Sequence, residues 1–315
     1  MSRLVPGGQG SVVTVGTFDG VHPGHRAVLA EVTRRARRLG CSSVLVTFEP
    51  HPLAVVNPAV APARLTTALE RLEALATCEL DRVVVLRFDR AMAALEPEEF
   101  VEQVLLAGCD MRELVIGHDH GFGRGRRGGV GMLRAMGAAR GFTVDVVQEV
   151  VAGMGMPVSS SAIRRAVAGG DLDGAAGMLG RRYTVSAAVE RGAARGRAIG
   201  FPTANLAIPA EKLLPPDGVY AVRVETPLGT FGGMMNQGHR PTFDDGRRLL
   251  EVHLFGFEGD LYDRRIRIDW VAWLRAIRRF DGVAALQEQL ERDGTAARRA
   301  LAGAGTLNAP SRAPE

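Results

Sequence analysis

The sequence predicts two domains: an α/β doubly wound domain, followed by an antiparallel β-barrel that one helix closes. The chain has 315 residues, enough for two domains of roughly 100–200 residues each. Its first half alternates strand-like and helix-like segments, whereas strand-like runs follow one another directly in its second half. We place the first domain at residues 1–180 and the second at 181–300, and we expect residues 301–315 to be a disordered tail.

The first half alternates short runs rich in Val, Ile and Leu with longer segments that carry apolar residues at helical spacing. This order predicts a parallel sheet covered by helices on both faces. The predicted strands are Ser11–Val15, Ser43–Phe48, Arg82–Leu86, Glu113–Ile116 and Phe142–Val151. The predicted helices are Val28–Leu39, Leu65–Ala76, Pro97–Ala107 and Leu133–Arg140.

The pattern of predicted elements changes after the junction Gly177–Tyr183. Strand-like runs now succeed one another without long helices between them, which predicts a β-barrel. We expect this domain to have its own core and to fold independently. The predicted elements are strands Tyr183–Glu190, Val219–Glu225, Phe231–Asn236, Leu249–Phe257 and Arg265–Val271, and helix Val283–Arg292.

Composition excludes several classes of protein. Hydrophobic residues make up 46% of the chain and charged residues 23%, which is typical of a soluble globular protein. No apolar run is long enough for a transmembrane helix, and the N-terminus lacks the pattern of a signal peptide. Cys41, Cys78 and Cys109 are scattered, which favours the reducing cytoplasm and disfavours structural zinc. We therefore expect a cytoplasmic protein.

The basic residues are almost all arginine. The net charge is +4, and Lys212 is the only lysine among 39 Lys and Arg. Lys212 lies outside any P-loop or protein-kinase pattern, both of which need a lysine. Few aromatic residues and no long basic tract disfavour nucleic-acid binding. Phosphate chemistry in this chain must therefore use arginine, histidine, backbone amides and metal.

The first motif is Gly16-Thr17-Phe18-Asp19-Gly20-Val21-His22-Pro23-Gly24-His25. It places two histidines where a predicted strand ends and a predicted helix begins, which is where open α/β sheets bind ligands. The start of a helix offers free N–H groups and a positive dipole end to an anion. The short pattern H-x-G-H also occurs by chance in ordinary loops, but the preceding T-F-D-G and the strand–turn–helix context favour a phosphate site.

Three further stretches follow predicted strands or precede a predicted helix. The stretch 48–52 reads Phe-Glu-Pro-His-Pro, and 117–126 is rich in Gly and Arg. The second is either a solvated loop or a phosphate cradle, and its position after a strand favours the cradle; its two histidines lack the further ligands of a zinc site. Ser159, Ser160 and Ser161 are either plain helix caps or, with Arg164, a second phosphate site.

These motifs together resemble a known family. H-x-G-H is typical of the nucleotidyltransferase superfamily, and the first half resembles the FMN adenylyltransferase module of the prokaryotic bifunctional riboflavin kinase/FAD synthetase family. In the second half Gly200-Phe201-Pro202-Thr203-Ala204-Asn205 resembles the riboflavin kinase module. The matches run in family order from Val13 to about Asp293.

The resemblance implies that ATP phosphorylates riboflavin to FMN in the second domain and adenylylates FMN to FAD in the first, with Mg²⁺ as cofactor. Riboflavin, FMN and ATP are the implied partners, and the resemblance leaves room for a weak homo-oligomer. The implied catalytic residues are His22, His25 and Glu251, with Glu251 as the base. The implied nucleotide-binding residues are Gly16, Phe18, Asp19, Asp119, Ser159, Ser160, Ser161, Arg164, Gly200, Phe201, Pro202, Thr203 and Asn205. The implied flavin-binding residues are Phe48, His51, Pro52 and Arg275, and Thr203 and Asn205 are the implied Mg²⁺ ligands.

The chain departs from the family pattern at several positions. His120 stands where the family usually has Phe, Ala162 where it has Arg, Asp263 where it has Gly, and Ile277 where an acidic residue is common. These positions lie where flavin contacts are expected, so flavin preference stays open. Two alternatives remain: a paralogue with one inactive or retargeted domain acting on a flavin analogue, and a non-catalytic flavin-binding protein.

Overall fold

The computed structural model describes residue 4 and residues 8–117, 129–148, 158–192, 196, 199–239 and 248–304. The chain divides into two compact units. The first unit comprises Met1–Pro62 and Arg71–Ser160, and the second comprises Ala63–Glu70 and Ser161–Pro314. The domain boundary at residue 180 stays a prediction.

The first unit contains a five-stranded parallel sheet with the strand order β3-β2-β1-β4-β5. The order reverses between β1 and β4, so the carboxyl ends of these two strands border the crevice where such sheets bind ligands. All five predicted strands are present, with ends shifted by a few residues, and residues 149–151 of the last predicted strand lie outside the described residues. The strands are β1 Ser11–Val15, β2 Ser42–Glu49, β3 Arg82–Arg87, β4 Met111–Gly117 and β5 Thr143–Val147.

Helices cover both faces of this sheet. Alternation along β1 turns Val13 and Val15 toward one apolar core and Val12 toward the other. Each face is thereby closed, as the predicted doubly wound fold requires. The helices of the first unit are α1 Pro23–Leu39, α2 Pro52–Val56, α4 Arg90–Ala94, α5 Pro97–Phe100, α6 Ala107–Cys109 and α7 Val130–Arg140. A π-helical stretch Val101–Leu106 joins α5 to α6, and α3 Ala68–Ala76 and α8 Ser160–Ala168 each contain a point where the two units divide.

The second unit is a closed antiparallel barrel with the strand order β10-β7-β6-β11-β8-β9. Leu250, Val252 and Ile268 are fully buried in it, and a polar residue stands next to each of them in the sequence. Its strands are β6 Thr184–Glu190, β7 Ala204–Ile208, β8 Gly218–Thr226, β9 Gly229–His239, β10 Arg248–Leu254 and β11 Arg265–Arg275. Its remaining helices are α9 Leu172–Leu179 and α10 Val283–Gly303.

The closing helix α10 continues eleven residues beyond its predicted end. Ala297, Ala300 and Leu301 lie in this extension and pack in one apolar cluster with Ala221 of β8 and Met234 of β9. The predicted fold class, an α/β domain followed by a β-barrel with a closing helix, is therefore confirmed. Within the described residues, no helix combines the length and apolar character that a membrane span needs.

Candidate active sites

His22 and His25 meet at the start of α1. His22 is the N-cap residue, and its Nδ1 accepts a hydrogen bond from the backbone N–H of His25 at 3.3 Å. A neutral imidazole that accepts at Nδ1 carries its proton on Nε2. The two rings stack with centroids 3.6 Å apart, and Phe18 lies 4.8 Å from the ring of His25. The helix start therefore presents two adjacent imidazoles in a fixed arrangement.

The turn between β1 and α1 is closely packed around these rings. A Cβ atom at Gly24 would lie 3.2 Å from the His22 ring, so this position favours glycine. Asp19 is buried, and its carbonyl accepts a hydrogen bond from Oγ of Ser160 at 3.0 Å. Gly16 donates its N–H to the carbonyl of Val46 in β2. The predicted residues of this motif thus lie together, and Ser160 joins them from the start of α8.

The stretch Phe48–Pro52 follows the neighbouring strand. Phe48 is buried and packs edge to face against Phe88. His51 caps α2, because its Nδ1 accepts from the N–H of Leu53 at 3.2 Å, and Pro52 is the first residue of that helix. In this arrangement His51 has a structural role at a helix start, and its predicted flavin contact stays a prediction.

The other predicted residues of the first site lie in or next to α8, or outside the described residues. Asp119 and the rest of residues 118–128 are outside the described residues, as is the departure at His120. Ser159 precedes α8, and Ser161 and Arg164 lie in that helix but belong to the second unit. Arg164 donates from Nε to the carbonyl of Ala63 at 3.0 Å. The phosphate-binding roles of Asp119, Ser159, Ser161 and Arg164 stay predictions.

Glu251 of the barrel lies between two asparagines on adjacent strands. It pairs with Asn205 of β7 on one side and with Asn236 of β9 on the other. Residues directly opposite each other in an antiparallel ladder point to the same face. Nδ2 of Asn236 donates to Oε2 of Glu251 at 3.3 Å. The barrel therefore brings the predicted base next to one predicted Mg²⁺ ligand, and it adds Asn236, to which the sequence motifs gave no role.

The Gly200–Thr203 turn before β7 is held from several sides. Gly200 has a φ of 84°, a left-handed conformation that favours glycine. Nδ1 of His253 forms a hydrogen bond with the carbonyl of Pro202 at 2.9 Å, and the ring of Phe201 meets the edge of the His253 ring. His253 lies two residues after Glu251 on β10, so alternation puts both side chains on one face.

Gly192 and Gly196, which precede this turn, leave space for groups within it and just after it. A Cβ atom at Gly192 would lie 2.2 Å from Nδ2 of Asn205, and one at Gly196 would lie 2.2 Å from the carbonyl oxygen of Phe201. At Gly196 the Cβ atom would also approach Oγ1 of Thr203 at 3.5 Å. The positions of the Asn205 amide and the Phe201 carbonyl thus favour glycine at Gly192 and Gly196, which the sequence motifs did not show.

Arg275 is bound by a carboxylate of α10, and its predicted flavin contact stays a prediction. Its Nε and Nη2 donate to the carboxylate of Asp293 at 2.9 and 2.7 Å, and Asp293 also accepts from Gln289 at 2.7 Å. Among the family departures, Asp263 has a φ of 60°, so its left-handed backbone explains why glycine suits this position. Ile277 is half exposed beyond the end of β11.

Two family models match the chain in tandem. The first, described as FAD synthetase, matches residues 6–162, and the second, described as riboflavin kinase, matches residues 179–301. Similar proteins include the bifunctional riboflavin kinase/FMN adenylyltransferases of Pseudomonas fluorescens, at 41% identity over 95% of both chains, and of Escherichia coli K12, at 39% over 92% of both. That of Bacillus subtilis is 35% identical over 90% of both chains.

The fold also matches a solved structure. A macrolide-efflux protein from Streptococcus pneumoniae gives a TM-score of 0.77 at 29% identity, with 93% of this chain and 95% of that chain covered. Both units of the present fold are therefore found in one known structure of similar length.

Proposed function

Because the chain belongs to the bifunctional riboflavin kinase/FMN adenylyltransferase family, we propose that it makes FMN from riboflavin and then FAD from FMN, with ATP as the donor in both steps. One observation carries this proposal: each of the two matched regions brings its predicted reactive side chains together. His22 stacks on His25 in the first region, and Asn205 pairs with Glu251 in the second.

In the riboflavin kinase step, Glu251 accepts the proton of the ribityl 5′-hydroxyl as its oxygen forms a bond to the γ-phosphorus of ATP. The bond between that phosphorus and the bridging oxygen breaks, and ADP leaves. The hydrogen bond from Asn236 to Oε2 of Glu251 supports this role, because it orients the carboxylate. Leu250 and Val252 are fully buried, so alternation turns Glu251 away from the core and toward the face it shares with Asn205.

The two predicted metal ligands also suit Mg²⁺. The hydroxyl of Thr203 and the amide oxygen of Asn205 are the hard donors that this ion prefers, and it is usually held by few protein groups together with substrate phosphates. The described residues contain no cluster of three or more His, Cys, Asp or Glu side chains that could hold a metal ion. When bound, Mg²⁺ neutralises charge on the phosphates of ATP.

In the adenylyl-transfer step, an oxygen of the FMN phosphate attacks the α-phosphorus of ATP and pyrophosphate leaves. The attacking group is already an anion, so positioning and charge stabilisation supply most of the rate. His22 and His25 donate hydrogen bonds to the charge that develops around the α-phosphate. Support comes from their stacking at a helix start, where backbone N–H groups and the helix dipole also favour an anion.

Two single substitutions separate the two activities. The protein is incubated with Mg-ATP and either riboflavin or FMN, and the flavins are resolved by chromatography. His25→Ala should abolish FAD formation and leave FMN formation intact. Glu251→Gln cannot accept a proton, so FMN formation should fall by roughly 10²–10⁴-fold while FAD formation from supplied FMN is unchanged.

Each other outcome of this assay identifies which part of the proposal is wrong. Absence of both products from the wild-type protein would contradict the proposal and favour a flavin-binding protein without catalysis. FMN without FAD would indicate an inactive or retargeted first domain. Near wild-type FMN formation by Glu251→Gln would reduce Glu251 to a positioning residue, whereas loss of both activities in one variant would indicate a folding defect.

A further inference from the structure

Arg71 lies in the part of α3 that belongs to the first unit, and its guanidinium is buried. Its side chain is 1% exposed, whereas arginine is almost never fully buried unless it is paired. Nη1 donates to the carbonyl of Thr17 at 3.0 Å, and Nη2 donates to the carbonyl of Phe48 and to Oε2 of Glu49, both at 2.9 Å. One side chain therefore joins the turn after β1 to the end of β2.

The turn after β1 needs such a connection, because part of its backbone is strained. Phe18 and Val21 have φ angles of 50° and 40°, which residues with a side chain rarely adopt. Such conformations persist only where the surrounding structure fixes them. The carbonyl of Thr17 accepts hydrogen bonds from Arg71 and from Oγ1 of Thr47, the latter at 3.4 Å. The turn that leads to His22 is thereby held from α3 and β2.

The chemistry of the three acceptors favours arginine at this position. Two backbone carbonyls and one carboxylate surround the side chain, and a planar guanidinium can donate to several acceptors at once from a rigid fork. The carboxylate of Glu49 supplies the opposite charge that a buried cation requires. A methionine of similar length would leave all three acceptors without this donor.

We propose that Arg71 is a positioning residue for adenylyl transfer. It holds the turn that carries His22 at a fixed separation from the stretch that leads to His51, on the predicted flavin side. The proposal rests on the proposed function, since it assumes that ATP and FMN react beside these two segments. A displacement of about 1 Å in such a site can lower the rate by roughly 10²-fold.

The test compares Arg71→Met and Arg71→Lys with a matched control, Arg35→Met. Arg35 is another mostly enclosed arginine of the first unit, and it pairs with Glu31, Glu113 and Asp145. We expect Arg71→Met to lower kcat for FMN adenylylation by about 10²-fold and to raise KM for both ATP and FMN. Arg71→Lys keeps the charge but fewer donors, so it should recover part of kcat.

Riboflavin phosphorylation by the same molecules reports whether the second unit is intact, and thermal unfolding reports whether the first unit stays folded. Arg35→Met should lower the unfolding temperature and leave the kcat of adenylylation within about threefold. An equal loss of kcat in Arg35→Met would overturn the proposal, because the effect would then be general destabilisation. Loss of both activities in both Arg71 variants would overturn it as well, and so would adenylylation by Arg71→Met near the wild-type rate. A wild-type protein that forms no FAD would instead contradict the proposed function.

Discussion

Gly192 shows how a residue without a side chain can be required for the position of another side chain. A Cβ atom at Gly192 would approach Nδ2 of Asn205 to 2.2 Å, far inside van der Waals contact. Asn205 is buried, so its short side chain has little freedom to move aside. The backbone at Gly192 therefore fixes the position of an amide that we expect to hold Mg-ATP.

Gly192→Ala should accordingly weaken riboflavin phosphorylation by displacing the Asn205 amide. We expect KM for Mg-ATP to rise and kcat to fall, with a combined loss in kcat/KM on the order of 10-fold or more, while FAD formation from supplied FMN stays unchanged. The matched control is Gly177→Ala in α9, where a Cβ atom would meet nothing within 4 Å. In a helix this change should stabilise the protein by roughly 0.5–1 kcal/mol.

Steady-state kinetics of both reactions and thermal unfolding measure these effects. Unchanged phosphorylation by Gly192→Ala would mean that the Asn205 amide tolerates displacement and does not hold Mg-ATP. A similar kinetic loss in Gly177→Ala would point to a general effect of added methyl groups in the second unit.

At the residue scale, the sequence predicted those side chains that lie within one continuous motif. His22 and His25 are three residues apart and meet because a helix begins between them. Arg71 and Asn236 could not be found in this way, because each reaches its site from another element of the fold. Arg275 was assigned to flavin from its motif, and its ion pair with Asp293 of α10 could not be predicted, because the two residues lie on different elements.

Helix α1 begins at the histidine pair, and its second half is tied to the sheet by ion pairs. Arg35 pairs with Glu31 of the same helix, Glu113 of β4 and Asp145 of β5. Glu31 also accepts two hydrogen bonds from Arg34. These hydrogen bonds, chiefly from Arg34, lower the pKa of Glu31 from 4.5 to about 2, against the opposing effect of burial.

A lowered pKa predicts a definite dependence of stability on pH. Charged Glu31 stabilises the fold fully above pH 4.5, and this contribution is lost as the pH falls from 4.5 toward about 2. Glu31→Gln should therefore lower the unfolding temperature at neutral pH, and its difference from the wild-type protein should shrink below pH 4.5.

Thermal unfolding followed by circular dichroism from pH 7 to pH 2 measures this difference. The control is Glu98→Gln, which removes the same charge from an exposed position of α5 and should show a much smaller difference at neutral pH. A difference for Glu31→Gln that stays constant down to pH 2 would contradict the assigned ion pairs.

At the element scale, periodicity located the long and regular pieces, and tertiary packing set their ends. The β-branched runs of the parallel sheet were all predicted, and those of β1, β2 and β4 are largely buried on both faces. Strand β7 was not predicted as a strand, because it is short and its residues Ala204–Ile208 follow directly on the Gly200–Thr203 turn. Helix α10 was predicted too short, since small residues near its end pack on the barrel without a strong apolar signal.

For the whole molecule, the second unit includes a segment from the first part of the chain. Ala63–Glu70 belongs to it, and its Glu70 accepts a hydrogen bond from the N–H of Ser186 at 2.7 Å. Lys212, the only lysine, is fully enclosed and donates from Nζ to Oε2 of Glu70 at 2.8 Å. The same Nζ donates to the carbonyls of Leu65 and Thr184. Neither the composition nor the pattern of predicted elements could indicate this ion pair, because it joins residues 142 positions apart.

This ion pair changes what we expect from independent folding of the second domain. A fragment that begins at Arg181 lacks Glu70 and Leu65, so the buried ammonium of Lys212 loses its counter-ion and one carbonyl acceptor. Removing one partner of a buried ion pair costs about 3–5 kcal/mol. The fragment should therefore unfold at a lower temperature than the same unit in the full chain and should show weaker riboflavin phosphorylation.

Lys212→Met should have opposite effects in the two contexts. In the fragment it removes an uncompensated buried charge, so it should raise the unfolding temperature and recover riboflavin phosphorylation. In the full chain it leaves the buried carboxylate of Glu70 without its partner, so the same change should lower the unfolding temperature. Circular dichroism melts of the four proteins measure both signs. If Lys212→Met destabilised the fragment as well, the lost ion pair would not be the reason for its instability, and Lys212 would contribute to the barrel through its packing over the ring of Tyr183 instead.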